Sequence, residues 1–199
     1  KRLGQPDMES LLENYRARKK EPPMIWVVHR LDQPVEGLMV FAKNPKSAAN
    51  LSKQIREKII GKHYYAISAC APKQPSGRLE DYLVTDKNRN VTTVIASPEN
   101  GKPARLDYQV LKEKEGYTLF DIHLHTGRQH QIRVQMSHMG LPLYGDQKYH
   151  ADWKSYLKEA DEARRNVALG LCAVSLEFIH PANGKKMCFH VEPKAEVFM

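Results

Sequence analysis

Two clusters of residues in this sequence have types and spacings that could do chemistry. The first is "HRLDQPVEG" (His29 to Gly37), where His29, Arg30 and Asp32 fall within four residues. An ionised aspartate of this kind could serve as nucleophile, base or charge stabiliser, and a nearby arginine would favour its charged form. Pro34 and Gly37 suit a tight, shaped loop. The flanking runs "MIWVV" (Met24 to Val28) and "LMVFA" (Leu38 to Ala42) read as buried strands that hold Asp32 at the rim of a sheet. The same residues would also fit an ordinary turn with an Arg30–Asp32 surface pair. The second cluster is "TGRQHQIRVQMSHMGLPLYGDQKY" (Thr126 to Tyr149), in which Arg128, His130, Gln131 and Arg133 crowd the start of a predicted helix. Backbone N–H groups and cations at a helix N-terminus favour anions such as phosphate. Arg128 could equally be a solvated cation. Arg133, set between Ile132 and Val134, reads as partly buried and in need of a carboxylate partner, because an unpaired buried charge is costly.

His123 and His125 share one strand face in "HLH", which is a metal-binding geometry. No third ligand recurs at a recognisable spacing, and neither HExxH nor a cysteine pair accompanies them, so no metal is expected. GxSxG, Walker and GxGxxG patterns are absent too, which excludes serine-hydrolase, P-loop and Rossmann readings. The charge balance points elsewhere. Lys plus Arg outnumber Asp plus Glu by 31 to 23, a net +8 compatible with a polyanionic partner, most simply a nucleic acid. The three cysteines, Cys70, Cys172 and Cys188, fit no zinc spacing and read as reduced, buried thiols of a cytoplasmic protein. Apolar runs are far shorter than the roughly 20 residues a spanning helix needs, so no membrane association is expected. The chain opens without Met, as a processed or partial chain would.

The elements that must position these clusters follow from periodicity. "MESLLENYRARKK" places Met8, Leu11, Leu12 and Tyr15 at helical spacing, and Pro22 and Pro23 end it. "NPKSAANLSKQIREKII" reads as an amphipathic helix capped by Asn44 or Ser47, with Leu51, Ile55 and Ile59 inward and Gly61 at its end. "KHYYAISACA" alternates as a strand does. A loop rich in Gly, Pro and Asn follows, with short β-like pieces such as "VTTVIAS". "ARLDYQVLKEKEGYTLFDIHLHTG" reads as a hairpin, and Ile132, Met136 and Met139 set a helix stopped by Gly140 and Pro142. "ADWKSYLKEADEARRN" is polar and helix-prone, and its basic residues suit an RNA backbone. A last hairpin joins "ALGLCAVSLEFI" to "MCFHVE". The lack of a βαβ rhythm predicts an α+β fold: a single domain over residues 1–199, with a largely antiparallel mixed sheet, flanking helices and an active-site cleft at the sheet rim.

Taken together, "HRLDQPVEGLMVFAK" and "GRQHQIRVQMSHMGLPLYGDQKY" resemble the RluA-type family of pseudouridine synthases. "GKHYYAIS" looks like the family's Lys-x-Tyr strand, "GKPARLDYQVL" its entry into the next hairpin, and "LCAVSLEFIHPANGKK" its closing strand and turn. The resemblance runs from about residue 8 to residue 190. It implies an isomerase converting uridine to pseudouridine in rRNA or tRNA, with base flipping, no cofactor, no metal and no obligate protein partner. By the same resemblance Asp32 is the catalytic aspartate, Tyr64 the base-contacting tyrosine, and Arg133 the arginine that pairs with the aspartate. Arg30, Arg128 and His130 are expected to contact RNA. The chain departs from the family pattern at Val35 and Glu36, where Thr-Ser is usual, and at Gln135, where His is usual. It shows neither the family's opening strand with a Lys-Pro pair nor an S4-like domain. Two other classes stay open: an RNA-binding module without chemistry, and a metal-dependent phosphodiesterase built on His123 and His125.

Overall fold

The computed structural model describes residues 7–114, 116–151 and 167–199. The helix expected in "ADWKSYLKEADEARRN" falls on 152–166, outside the described residues. The chain divides into two compact units, one comprising residues 1–31, 39–60 and 177–188, the other 32–38, 61–176 and 189–199. Among the described residues, no helix is long and apolar enough to cross a membrane.

In the first unit, helix α1 (Met8–Arg18) begins at Asp7, whose carboxylate accepts the Ser10 N–H at 2.8 Å. Its apolar positions do not face inward as their spacing predicts: Met8, Leu11 and Tyr15 are all about half exposed. Arg16 is buried instead. Its guanidinium donates to the carbonyls of Met24 and Lys43 and lies 3.4 Å from Glu21. The helix is therefore seated by a cation on backbone carbonyls, and its orientation follows that arginine. The flanking "buried strands" are also smaller than expected. Strands β1 (Trp26–Val27) and β3 (Phe41–Ala42) pair only with each other, and Val27 is exposed. Helix α2 (Pro45–Arg56) is capped by Asn44, which accepts the Ser47 N–H at 2.8 Å, and it buries Leu51. Lys58 takes φ +57° and ends the helical turn before Ile59, which is exposed. Gly61 opens the next strand instead of closing the helix.

The second unit is organised on a sheet. Between β1 and β3 the chain forms the short strand β2 (Glu36–Gly37); after α2 come β4 (Gly61–Ser68), β5 (Ser76–Asp86), β6 (Val91–Ile95), β7 (Lys102–Lys114) and β8 (Tyr117–Leu124). Helix α3 (Gln131–His138) and strands β9 (Leu171–Ile179) and β10 (Lys186–His190) complete the order. The sheet runs β10-β9-β4-β8-β7-β5-β6, with β2 pairing β9 in parallel and the described neighbours β4/β8, β8/β7, β7/β5 and β5/β6 all antiparallel. The chain thus has the expected α+β class with a largely antiparallel mixed sheet. One correction concerns β5: the stretch expected as loop holds an eleven-residue strand. "SGRLEDYLVTD" buries only Leu83 fully, so charged and turn-prone residues mask its alternation. The inner sheet face carries Ala66, Leu106, Phe120 and Ile122, all fully buried. Of the cysteines expected to be buried thiols, only Cys172 is; Cys70 and Cys188 are exposed, and all three are free.

Candidate active site

The Asp32 loop is shaped by three local constraints. Gln33 and Pro34 form a turn closed by the Val35 N–H donating to the Asp32 carbonyl at 2.9 Å. Strand β2 then aligns Glu36 with Cys172 and Gly37 with Ala173, and the Leu38 N–H donates to the Ala173 carbonyl at 2.9 Å. Gly37 sits at φ +118°, and a Cβ there would meet the Ala173 oxygen at 2.3 Å, so only glycine lets the loop lie this close to β9. Glu36, one of the departures from the family pattern, holds the loop to the chain's last residues. Its carboxylate accepts the backbone N–H groups of Lys194 and Ala195 at 3.1 and 3.2 Å. It also lies against Cys172, whose thiol is pushed up to about 12, mainly by burial and then by this carboxylate.

Arg133 reaches the loop from α3. It is buried, as its neighbours predict, but its principal partner is not Asp32. Nε and Nη2 donate to the two carboxylate oxygens of Asp146, both at 2.7 Å, while Nη1 lies 3.7 Å from Asp32 Oδ2. The expected Arg133–Asp32 pair is therefore present at 3.7 Å, beside a tighter fork on Asp146 that the sequence does not name. Burial opposes charge on both fork partners, and the two hydrogen bonds between them win. Asp146 is held below the usual carboxylate range, helped by the Lys148 and Tyr149 N–H groups, and Arg133 is held above its ordinary value. Gly145 precedes Asp146 at φ +75°, where a Cβ would lie 2.4 Å from the Ala168 carbonyl. The Arg133 guanidinium also sits over the Tyr149 ring, 5.1 Å from its centroid.

His130, singled out as an RNA contact, is 8% exposed and takes a left-handed conformation at the start of α3. Its Nδ1 meets the Tyr149 hydroxyl at 2.6 Å, and its Nε2 stands 3.9 Å from Asp32 Oδ2. Burial lowers its pKa against the pull of Asp32, which favours the neutral ring. Tyr64, on β4, is buried; burial first, and Asp32 second, raise its pKa well beyond the usual tyrosine range, so it remains a phenol. Lys62 shares the Tyr64 strand face and lies beside Gly127, with burial lowering its pKa. Arg128 is half-buried: its Nε donates to the Pro103 carbonyl and its backbone N–H to Gln131 Oε1, both at 3.0 Å. Arg30 is exposed and belongs to the first unit. Gln135, the other departure, is fully buried, donating to Asp81 at 2.7 Å and accepting from Gln131 at 2.9 Å.

Within the second unit, then, the structure brings Asp32, Tyr64, His130 and Arg133 together. It adds Asp146 and Tyr149, which the sequence reading did not name as site residues. "YGDQKY" carries a signal for Asp146, since Arg133 calls for a carboxylate. The arrangement offers one partly exposed carboxylate beside a permanent cation that is itself anchored elsewhere. Tyr64, His130 and Arg133 are all buried. That suits an electron-poor carbon approaching Asp32 and a planar ring lying on Tyr64.

Comparison with known proteins agrees. Residues 4–138 match the family model described as RNA pseudouridylate synthase. The chain is 32% identical over 187 residues to the "Ribosomal large subunit pseudouridine synthase D" of Pasteurella multocida, covering 92% of this chain and 56% of that protein. Against the protein of the same name from Nitrosomonas europaea it is 34% identical over 178 residues, 87% of this chain and 49% of the relative. The chain therefore spans about half the length of these curated relatives. The solved structure of human RNA Pseudouridylate Synthase Domain Containing 4 superposes with a TM-score of 0.73 at 25% identity, over 94% of this chain and 77% of that one. The chain belongs to the RNA pseudouridylate synthase family, within its RluA-type members.

Proposed function

We propose that the protein is an RNA pseudouridine synthase whose catalytic domain takes in residues 1–199 and whose catalytic group is Asp32. The observation that carries this reading is Asp32 Oδ2 standing 3.7 Å from the buried Arg133, in a chain of this family. Isomerisation breaks the uridine N1–C1′ bond, turns the base over and joins C5 to C1′; the C5 proton leaves and N1 gains one. Positive charge develops at the sugar as N1 departs, and a carboxylate there acts either as nucleophile at C1′ or as base on the 2′-proton. The Arg133 cation faces the Asp32 carboxylate at 3.7 Å in either role. Tyr64 supplies a ring for the detached uracil, and its phenol can take the C5 proton only while giving up its own. The reaction is atom-neutral and calls for no redox or group-transfer cofactor.

The target uridine has to leave its stack to reach Asp32, so base flipping is part of the reading. Arg30, Arg128 and His130 are assigned to RNA, the last through the buried ring beside Asp32. The relatives' names favour large-subunit rRNA over tRNA as substrate. The test is pseudouridine formation in RNA by the purified chain, with and without EDTA, beside Asp32→Asn. We expect turnover that survives chelation and no detectable product from the variant, with RNA affinity within about tenfold of native. A folded Asp32→Asn protein that still converts uridine overturns the assignment.

A further inference from the structure

The face of the sheet turned away from Tyr64 carries a second cluster. His63 and His123 are cross-strand partners on β4 and β8, and their rings stack 4.7 Å apart at 3°. His123 is also the partner of Asp107 on β7. His125 Nε2 lies 2.7 Å from Asp107 Oδ2. One ligand atom from each of Asp107, His123 and His125 lies within 4.8 Å of the other two. The third ligand that spacing along the chain does not supply comes from the neighbouring strand.

We propose that Asp107, His123 and His125 form a binding site for a divalent transition-metal cation of the zinc class, separate from the Asp32 site. Two imidazoles and a carboxylate make a donor set suited to zinc, with a fourth position left for water. Zinc bonds of about 2.0–2.2 Å bring tetrahedral ligand atoms to roughly 3.4 Å of one another, so the 2.7 Å His125–Asp107 contact lengthens as the ion enters. The supports are in place. Arg78 holds both oxygens of the Asp107 carboxylate, Nε donating to Oδ1 at 2.6 Å and Nη2 to Oδ2 at 3.1 Å. Oδ2 also faces His125, so an ion bound there displaces the Nη2 bond while the Nε bond keeps the carboxylate oriented. His63 holds the His123 ring by stacking and is itself fixed by Asp121 at 3.0 Å. Such outer partners orient metal ligands. A cavity of about 480 Å³, lined by His63, Arg78, Asp107, Asp121 and His123 among others, lies against two of the three ligands. Arg78 places a positive charge near the cation. It is more than half exposed, so water screens that repulsion, and Asp121 contributes a compensating negative charge.

The test uses the full chain, stripped with EDTA and desalted. Zn²⁺ is titrated by calorimetry and Co²⁺ is followed by visible absorption. The expected result is one equivalent bound with Kd at or below about 10 μM, and intense four-coordinate Co²⁺ bands. His125→Gln should weaken zinc at least tenfold and remove those bands, whereas His190→Ala should change neither. Absence of a four-coordinate Co²⁺ spectrum in the native chain overturns the proposal without any variant. So does zinc affinity left unchanged by His125→Gln, which would assign the ion to another surface group.

Discussion

At the scale of single residues, the anchoring of Arg133 decides how catalysis and stability divide. Because Asp146 and not Asp32 holds the guanidinium, Asp32→Asn weakens only long contacts of a partly exposed carboxylate, 3.7 Å to Arg133 and 3.9 Å to His130. Its stability should fall by at most about 1 kcal/mol. Asp146→Asn leaves a buried arginine without its counter-charge and should cost about 3–5 kcal/mol, visible as a lower midpoint in denaturant. The pH dependence has a definite sign. A carboxylate whose pKa is depressed by folding stabilises fully above the ordinary carboxylate value near 4, and that contribution is lost as pH falls through the folded value. Native protein should therefore lose stability more steeply below about pH 4 than Asp146→Asn does. Tyr64→Phe keeps the ring and removes the hydroxyl, so RNA binding should persist while turnover drops sharply. Native turnover in that variant would leave Tyr64 as a stacking surface only. Arg133's need for a carboxylate was legible from Ile132 and Val134 beside it. Which carboxylate was not, since the pairing is made by the turn at Gly145.

Among the elements, β2 is the smallest and the most consequential for geometry. Gly37→Ala puts a methyl group 2.3 Å from the Ala173 oxygen, so the ladder to β9 has to open and Asp32 shifts. Activity should fall by about 100-fold or more, since an ångström of misplacement costs that much. Gly140→Ala is the control: its φ is +82° but nothing lies within 4 Å, so it should cost only about 1 kcal/mol and leave turnover intact. Single-turnover rates and melting curves of the pair separate close approach from backbone strain. Helix α3 and the β7–β8 hairpin could be read from the chain because periodicity, a Gly stop and a turn agreed. Strand β5 could not, because a glycine and Asp81 sit among its inward residues while Tyr82 and Val84 point outward, so its alternation is blurred. Helix α1 was legible as a helix but not in its orientation, since hydrogen bonds from Arg16 to backbone carbonyls leave no periodic trace. The Asp107 contribution to the histidine cluster was hidden for a related reason: strand register joins residues that spacing along the chain keeps apart.

For the molecule as a whole, the +8 charge predicts an electrostatic component of RNA binding. On single strands log K should fall by roughly 0.7 per phosphate contact for each tenfold rise in salt. With about five contacts, raising salt from 50 to 200 mM should weaken binding on the order of 100-fold, and a salt-independent Kd would contradict it. The parallel seating of β2 on β9 has a further consequence, in time. Asp32 is made early, but the ladder that positions its loop waits for Cys172 and Ala173, and the Glu36 carboxylate closes on Lys194, 158 residues along the chain. At about 5–20 residues per second, a nascent chain carries Asp32, Tyr64 and Arg133 for several seconds before β9 exists. Contacts of such long sequence separation also form slowly. Competence for chemistry should thus arrive abruptly once β9 is made, so that a ribosome-bound chain ending before β9 binds RNA but leaves its uridines unchanged.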